Sequence, residues 1–101
     1  MVALEIHSWE FESAAFVPGC IIDMRSAEQF ARAHLHNAHN IPYERFQVEA
    51  VAAAQGAEPV LVVDEGGARA AEMAVWLRSR GMNASYLSGG MSAWRGALEV
   101  Q

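Results

Sequence analysis

Along the chain, short unbroken apolar runs alternate with longer stretches in which apolar residues recur every three or four positions. The first pattern marks buried strands and the second amphipathic helices. Strand character appears at residues 3–6, 20–24, 59–63 and 83–87. The run Pro59-Val60-Leu61-Val62-Val63 is the clearest, because an unalternated, β-branched stretch suits a strand covered on both faces of a parallel sheet. Ser8 is placed to N-cap a helix over 9–15, which Pro18-Gly19 ends. Ser26 with Gln29 forms a capping-box pattern for a helix through Ala33. Residues 34–39 read as a histidine-rich loop and 40–42 as a short extended piece. Helical spacing returns over 43–55, stopped by Gly56, and over 68–80, where Ala70, Met73, Ala74 and Leu77 share one stripe and Gly81 terminates. Ser88-Gly89-Gly90 opens a last short helix over 91–94.

Strands alternating with helices predict an α/β domain with a parallel sheet and right-handed crossovers. Ligands of such sheets gather at the carboxyl ends of the strands. That rule nominates Asp23-Met24-Arg25, residues 64–69 and residues 88–90.

Composition narrows the classes. Of 101 residues, 52% are hydrophobic and 19% charged, which excludes a disordered chain, and no linker interrupts them, so 1–101 is read as one domain. Twelve acidic against seven basic residues give a net charge of −5, so no nucleic-acid partner is expected. A single cysteine makes neither an internal disulfide nor a thiolate zinc site. The N-terminus lacks the pattern of a signal peptide and no apolar stretch approaches ~20 residues, so no membrane partner is expected and a cytoplasmic setting is.

The segment Asp64-Glu65-Gly66-Gly67-Ala68-Arg69 links a buried strand to a helix N-terminus. Its two glycines let successive backbone N–H groups turn inward, forming a nest for an anion, with the helix dipole and Arg69 adding positive potential. An equally open reading is a simple strand-to-helix turn in which Asp64 or Glu65 caps the helix.

Four segments, in order, carry a resemblance. Ile22-Asp23-Met24-Arg25 resembles a D-x-R segment. Glu28-Gln29-Phe30, followed by residues 33–42 ending Asn40-Ile41-Pro42, resembles an E-x-F…G-H-I-P-G-A-x-N-I-P stretch. Residues 64–69 lie where a C-x-x-G-x-R loop is carried, and Gly89-Gly90-Met91-Ser92-Ala93-Trp94 matches G-G-x-x-A-W. Over nearly its whole length the chain resembles the rhodanese-like domains, single-domain members of the sulfurtransferase family. The resemblance implies a three-layer α/β fold, with a central, mostly parallel sheet flanked by helices. It also implies a site at the 64–69 loop, with Asp23 and Arg25 on the pocket rim. Family enzymes take a sulfane sulfur onto the loop cysteine as a persulfide and pass it to an acceptor, the loop amides holding the thiolate.

By this resemblance Asp64 stands at the cysteine's position. A carboxylate oxygen forms no stable persulfide. Glu65 adds a second negative charge, which disfavours an incoming dianion, and Ala70 stands where a hydroxyl residue is common. The expectation is that the Asp64 carboxylate fills the nest from inside, pairing also with Arg69, and that no residue is catalytic. The function expected is a non-catalytic binding or regulatory module whose partner is a protein or a small anion. The alternative is a sulfurtransferase-family enzyme acting by a variant mechanism or carrying an altered residue 64. Phosphoryl transfer through Asp64 ranks far below both, because it wants a metal held by neighbouring carboxylates.

Other residues read as structural. Cys20 begins its strand roughly 10 Å back from the carboxyl edge and is expected buried. His34, His36 and His39 have spacing that zinc or nickel tolerates, but His34 matches a structural residue of the family, so no metal and no cofactor are expected. Arg25 is expected to pair with a carboxylate, Glu65 among the candidates. Met73, Trp76 and Trp94 are read as packing, and Trp9 and Phe11 as candidates for a partner surface.

Overall fold

The computed structural model describes residues 1–100. Five strands form one all-parallel sheet: β1 (Glu5–Ile6), β2 (Cys20–Asp23), β3 (Ala38–Asn40), β4 (Val60–Val63) and β5 (Ala84–Leu87). Their spatial order is β1-β5-β4-β2-β3. The helices α1 (Ser8–Glu12), α2 (Ala27–Arg32), α3 (Tyr43–Ala54) and α4 (Ala68–Ser79) lie in the connections between successive strands, and α5 (Gly90–Ala93) follows β5. The α/β architecture expected from the alternation is present.

The central strands are apolar on both sides because both sides are covered. On one face Ile22, Val60, Val62 and Ala84 meet Phe46, Ala50 and Ala54 of α3 and Ala70, Met73, Ala74 and Leu77 of α4. On the other, Ile21, Leu61, Val63 and Leu87 meet Phe16 and Leu35, with Phe11, Met91 and Trp94 packed against them. Trp76 sets its edge toward Phe46 at 6.4 Å, and Trp94 lies 5.5 Å from Phe11, so both indoles are packing groups. Trp9 is exposed. Among the described residues no helix is long and apolar enough to cross a membrane.

Several boundaries differ from the sequence expectation. The first helix is capped at His7, not Ser8, because the Glu10 carboxylate accepts the His7 amide at 3.0 Å. It ends at Glu12, short of 15, and Ala14 then turns the chain at φ +60°. β1 shrinks to two residues at the sheet margin. The histidine-rich segment is not all loop, since residues 38 and 39 belong to β3, which ends at Asn40.

Register is what positions the site. Asp23 lies opposite Val63 on one side and Asn40 on the other. The chain therefore leaves β2, β3 and β4 at the same level, side by side. The level is locked by Met24 N–H to the Val63 carbonyl (2.8 Å), Ile41 N–H to Asp23 (3.0 Å) and Tyr43 N–H to Met24 (3.1 Å).

The start of α5 closes against the same level. Met91 N–H donates to the Asp64 carbonyl and Ser92 N–H to Glu65, both at 2.9 Å. The approach needs Gly90: a Cβ there would lie 2.5 Å from both of those carbonyl oxygens, and its φ is +59°. Gly90→Ala is therefore expected to cost at least about 2 kcal/mol in urea unfolding, from left-handed strain plus overlap. Gly66→Ala meets open space and is expected to stay within about 0.5 kcal/mol of the parent.

Candidate functional site

β4 delivers Asp64 at its end, and Gly67, at φ +104°, turns the chain into α4. The turn aims the first amides of that helix back at Asp64. Its Oδ1 accepts Gly67 N–H at 2.5 Å, and its Oδ2 accepts Arg69 N–H and Ala70 N–H, both at 3.0 Å. One carboxylate, 8% exposed, thus satisfies three helix-start donors that would otherwise lack partners. The nest and the cap, open alternatives in the sequence, are one arrangement here. The side chain caps the helix from inside the loop.

The next strand end supplies a buried ion pair. Arg25 bonds Asp23 through Nη2 (2.8 Å to Oδ2) and Nε (3.1 and 3.2 Å to the two oxygens), and Nη2 also donates to the Ala33 carbonyl at 2.7 Å. Glu65 stands 3.7 Å from Nη1, and its other oxygen accepts the Ser92 hydroxyl at 2.9 Å. Burial alone would lower the Arg25 pKa, but the bonds and charge of Asp23, with the charge of Glu65, outweigh it and raise it. Asn40 clamps the same turn, its amide donating to the carbonyls of Asp23 and Arg25 at 3.0 Å each.

Beside this ion pair lies a cavity of about 450 Å³, walled by Arg25, Gln29, Tyr43, Glu44 and the loop residues Asp64, Glu65, Gly66, Ala68 and Arg69. The Arg69 guanidinium lies 4.4 Å over the Tyr43 ring, a cation–π contact. The Tyr43 hydroxyl donates to Glu72 at 2.8 Å, and that bond and the Glu72 charge hold it above the ordinary phenol range.

A model of the rhodanese-like domain family matches residues 9–97. The chain belongs to the rhodanese-like domain family. Among solved structures it is similar to a rhodanese-like domain protein from Staphylococcus aureus, with 27% identity, 98% and 99% of the two chains covered, and a TM-score of 0.85. It is also similar to a thiosulfate sulfurtransferase from Pseudomonas aeruginosa, at 28% identity and a TM-score of 0.79, covering 98% of this chain and 20% of that one. A rhodanese-related protein from Thermoplasma volcanium shares the fold at 17% identity, with a TM-score of 0.84 and 98% and 100% of the two chains covered.

Within this rhodanese-like domain, two sequence expectations need correction. Asp23 is not on the pocket rim. It is 1% exposed, because its β2 register turns the carboxylate onto Arg25. Arg69 does not pair with Asp64 through its guanidinium. Only its backbone amide reaches the carboxylate, while the side chain crosses to Tyr43. Within the loop, Gly67 packs against the turn before α5, where an added Cβ would sit 3.2 Å from the Gly89 nitrogen. The expected Arg25–Glu65 pairing is present. Tyr43, Glu44 and Gln29 also wall the cavity, beyond the residues that the sequence nominates. Tyr43 directly follows the Asn40-Ile41-Pro42 segment that ends beside β2, which was the signal available for it.

The histidines diverge. His34 Nδ1 donates to the Phe30 carbonyl at 2.7 Å, His36 turns to Glu99, and His39 is exposed. Among the described residues no three His, Cys, Asp or Glu side chains form a group that could hold a metal ion. Cys20 is buried at the opposite end of β2 from the loop, and burial raises its thiol pKa.

Removing the Asp64 carboxylate strands three amides, so Asp64→Ala is expected to lower stability by about 2 kcal/mol in urea unfolding. Asp64→Asn keeps an acceptor oxygen and is expected to lose less. Native Cys20 is expected to react with iodoacetamide at least about tenfold more slowly than in denaturant, followed by intact mass.

Proposed function

We propose that this rhodanese-like domain is a non-catalytic binding or regulatory module, with Asp64 standing where family sulfurtransferases carry their nucleophilic cysteine. The observation that carries the reading is the carboxylate bonded to the amides of Gly67, Arg69 and Ala70. Those amides are the groups an anionic sulfur would use, and here the chain's own oxygen uses them. Oxygen at that position leaves no atom on which a sulfane sulfur can be held as a persulfide. The chain's one thiol, Cys20, sits buried at the far end of its strand with its thiolate disfavoured. The Glu65 charge beside the cavity further disfavours a dianionic sulfur donor. The loop face then serves recognition of a protein or a small anion, through the cavity bordered by Arg25, Tyr43 and Arg69.

The similar protein from Pseudomonas aeruginosa is a thiosulfate sulfurtransferase, which makes thiosulfate the donor to test. With thiosulfate as donor and cyanide as acceptor, thiocyanate formation by the wild type is expected to equal that of Asp64→Ala. Asp64→Cys is expected to gain turnover, because the amides then face a thiolate. Wild-type turnover above the Asp64→Ala level would overturn the reading and favour an enzyme working by a variant mechanism.

A further inference from the structure

Beyond α5 the chain returns across the sheet and is fastened at one point. His34 and Glu99 exchange backbone hydrogen bonds, His34 N–H to Glu99 at 2.9 Å and Glu99 N–H to His34 at 2.8 Å. The Trp94 indole donates to the Ala97 carbonyl at 3.2 Å. Trp94, Gly96 and Ala97 line a groove of about 790 Å³ together with Phe11, Val17 and Leu35. This groove is separate from the loop cavity, and Glu99 lies outside the stretch matched to the family.

The side chains at the fastening are chemically asymmetric. His34 is buried and stacks on Phe30, with ring centroids 3.9 Å apart. Its Nδ1 faces the Phe30 carbonyl at 2.7 Å, and a carbonyl only accepts, so Nδ1 carries a proton in either charge state. The neutral ring therefore has a bare lone pair at Nε2. That atom lies 3.8 Å from Glu99 Oε1, so two acceptors face each other. A proton on Nε2 turns the same contact into an ion pair. The His36 Nδ1 contacts the other Glu99 oxygen from an exposed ring, which can donate in both charge states.

We propose that His34 and Glu99 form a proton-operated latch on residues 95–100, closed when His34 is an imidazolium and loosened when it is neutral. Because the fastened segment walls the groove, the latch governs how far the groove opens. Among the described residues, the only cationic groups within 4 Å of the Glu99 carboxylate are these two imidazoles. The other charged or titratable groups on neighbouring elements are Glu28 and Arg32 on α2, Arg25 bonded to Ala33, His39 on β3, Glu10 and Glu12 on α1, and Arg95 within the segment, bonded to the carbonyls of Ser92 and Trp94. The sign follows from the charge. A proton arriving at Nε2 tightens the latch and its departure loosens it, so lower pH favours the fastened form.

Amide exchange measured by NMR, corrected for intrinsic rates, tests this at the His34 and Glu99 amides of the full chain. Their protection is expected to be about fivefold higher at about pH 5.5 than at about pH 8, the scale of a partly exposed ion pair. Glu99→Gln is expected to remove that difference while the central-strand amides of Ile22 and Val62 stay protected. His36→Gln is expected to keep it. Equal protection of the wild type at both pH values, or an unchanged difference in Glu99→Gln, would overturn the latch. Loss of the difference in His36→Gln would overturn its assignment to His34.

Discussion

Three inward-facing amides at the start of α4 must find an acceptor, and the Asp64 carboxylate is it. Much of the surrounding geometry follows from that requirement. Gly67 must adopt a left-handed conformation to turn the amides inward. The turn leaves the carbonyls of Asp64 and Glu65 pointing at α5, so α5 must begin with glycine to come close enough to cover them. The loop is satisfied on its amide side by one carboxylate and on its carbonyl side by another helix start. It is a closed hydrogen-bond unit rather than a flexible connection.

A second constraint works beside it. Asp23 and Arg25 are taken out of water together, and a buried pair survives only where its remaining donors and acceptors are met. Here the Ala33 carbonyl, the Arg25 amide and Glu65 meet them, and Asn40 clamps the backbone between the two charges. The pair ties the end of β2 to the end of α2 and to the loop. It sets the shape of the cavity wall without leaving a free cation there, so the guanidinium available to a visitor is that of Arg69, resting on Tyr43.

Much of this was legible in the chain. Apolar runs that do not alternate, separated by helical stripes and glycines, specify a doubly covered parallel sheet, and the observed sheet is that. The loop at 64–69 was legible too, because glycines between a buried strand and a helix have few other uses. Side-chain direction was not. Charge alone gives Arg69 no reason to choose Tyr43 over Asp64; the choice depends on α3 lying beside α4, which is a matter of packing. For Asp23, strand periodicity does not reveal which way the last residue of a strand turns when a neighbour two positions on can claim it. The sequence does not reveal the helix start at His7, because Glu10 caps by accepting a backbone amide, a role its position shares with ordinary first-turn acids.

The sheet's margins carry one more consequence. β1 offers two residues and β3 three, while the long apolar strands lie inside. Outer edges this brief give a foreign strand almost no run of free amides and carbonyls to zip onto. The Val- and Ile-rich strands that could template cross-β stacking are thereby kept inside, with little of the sheet left open at either side.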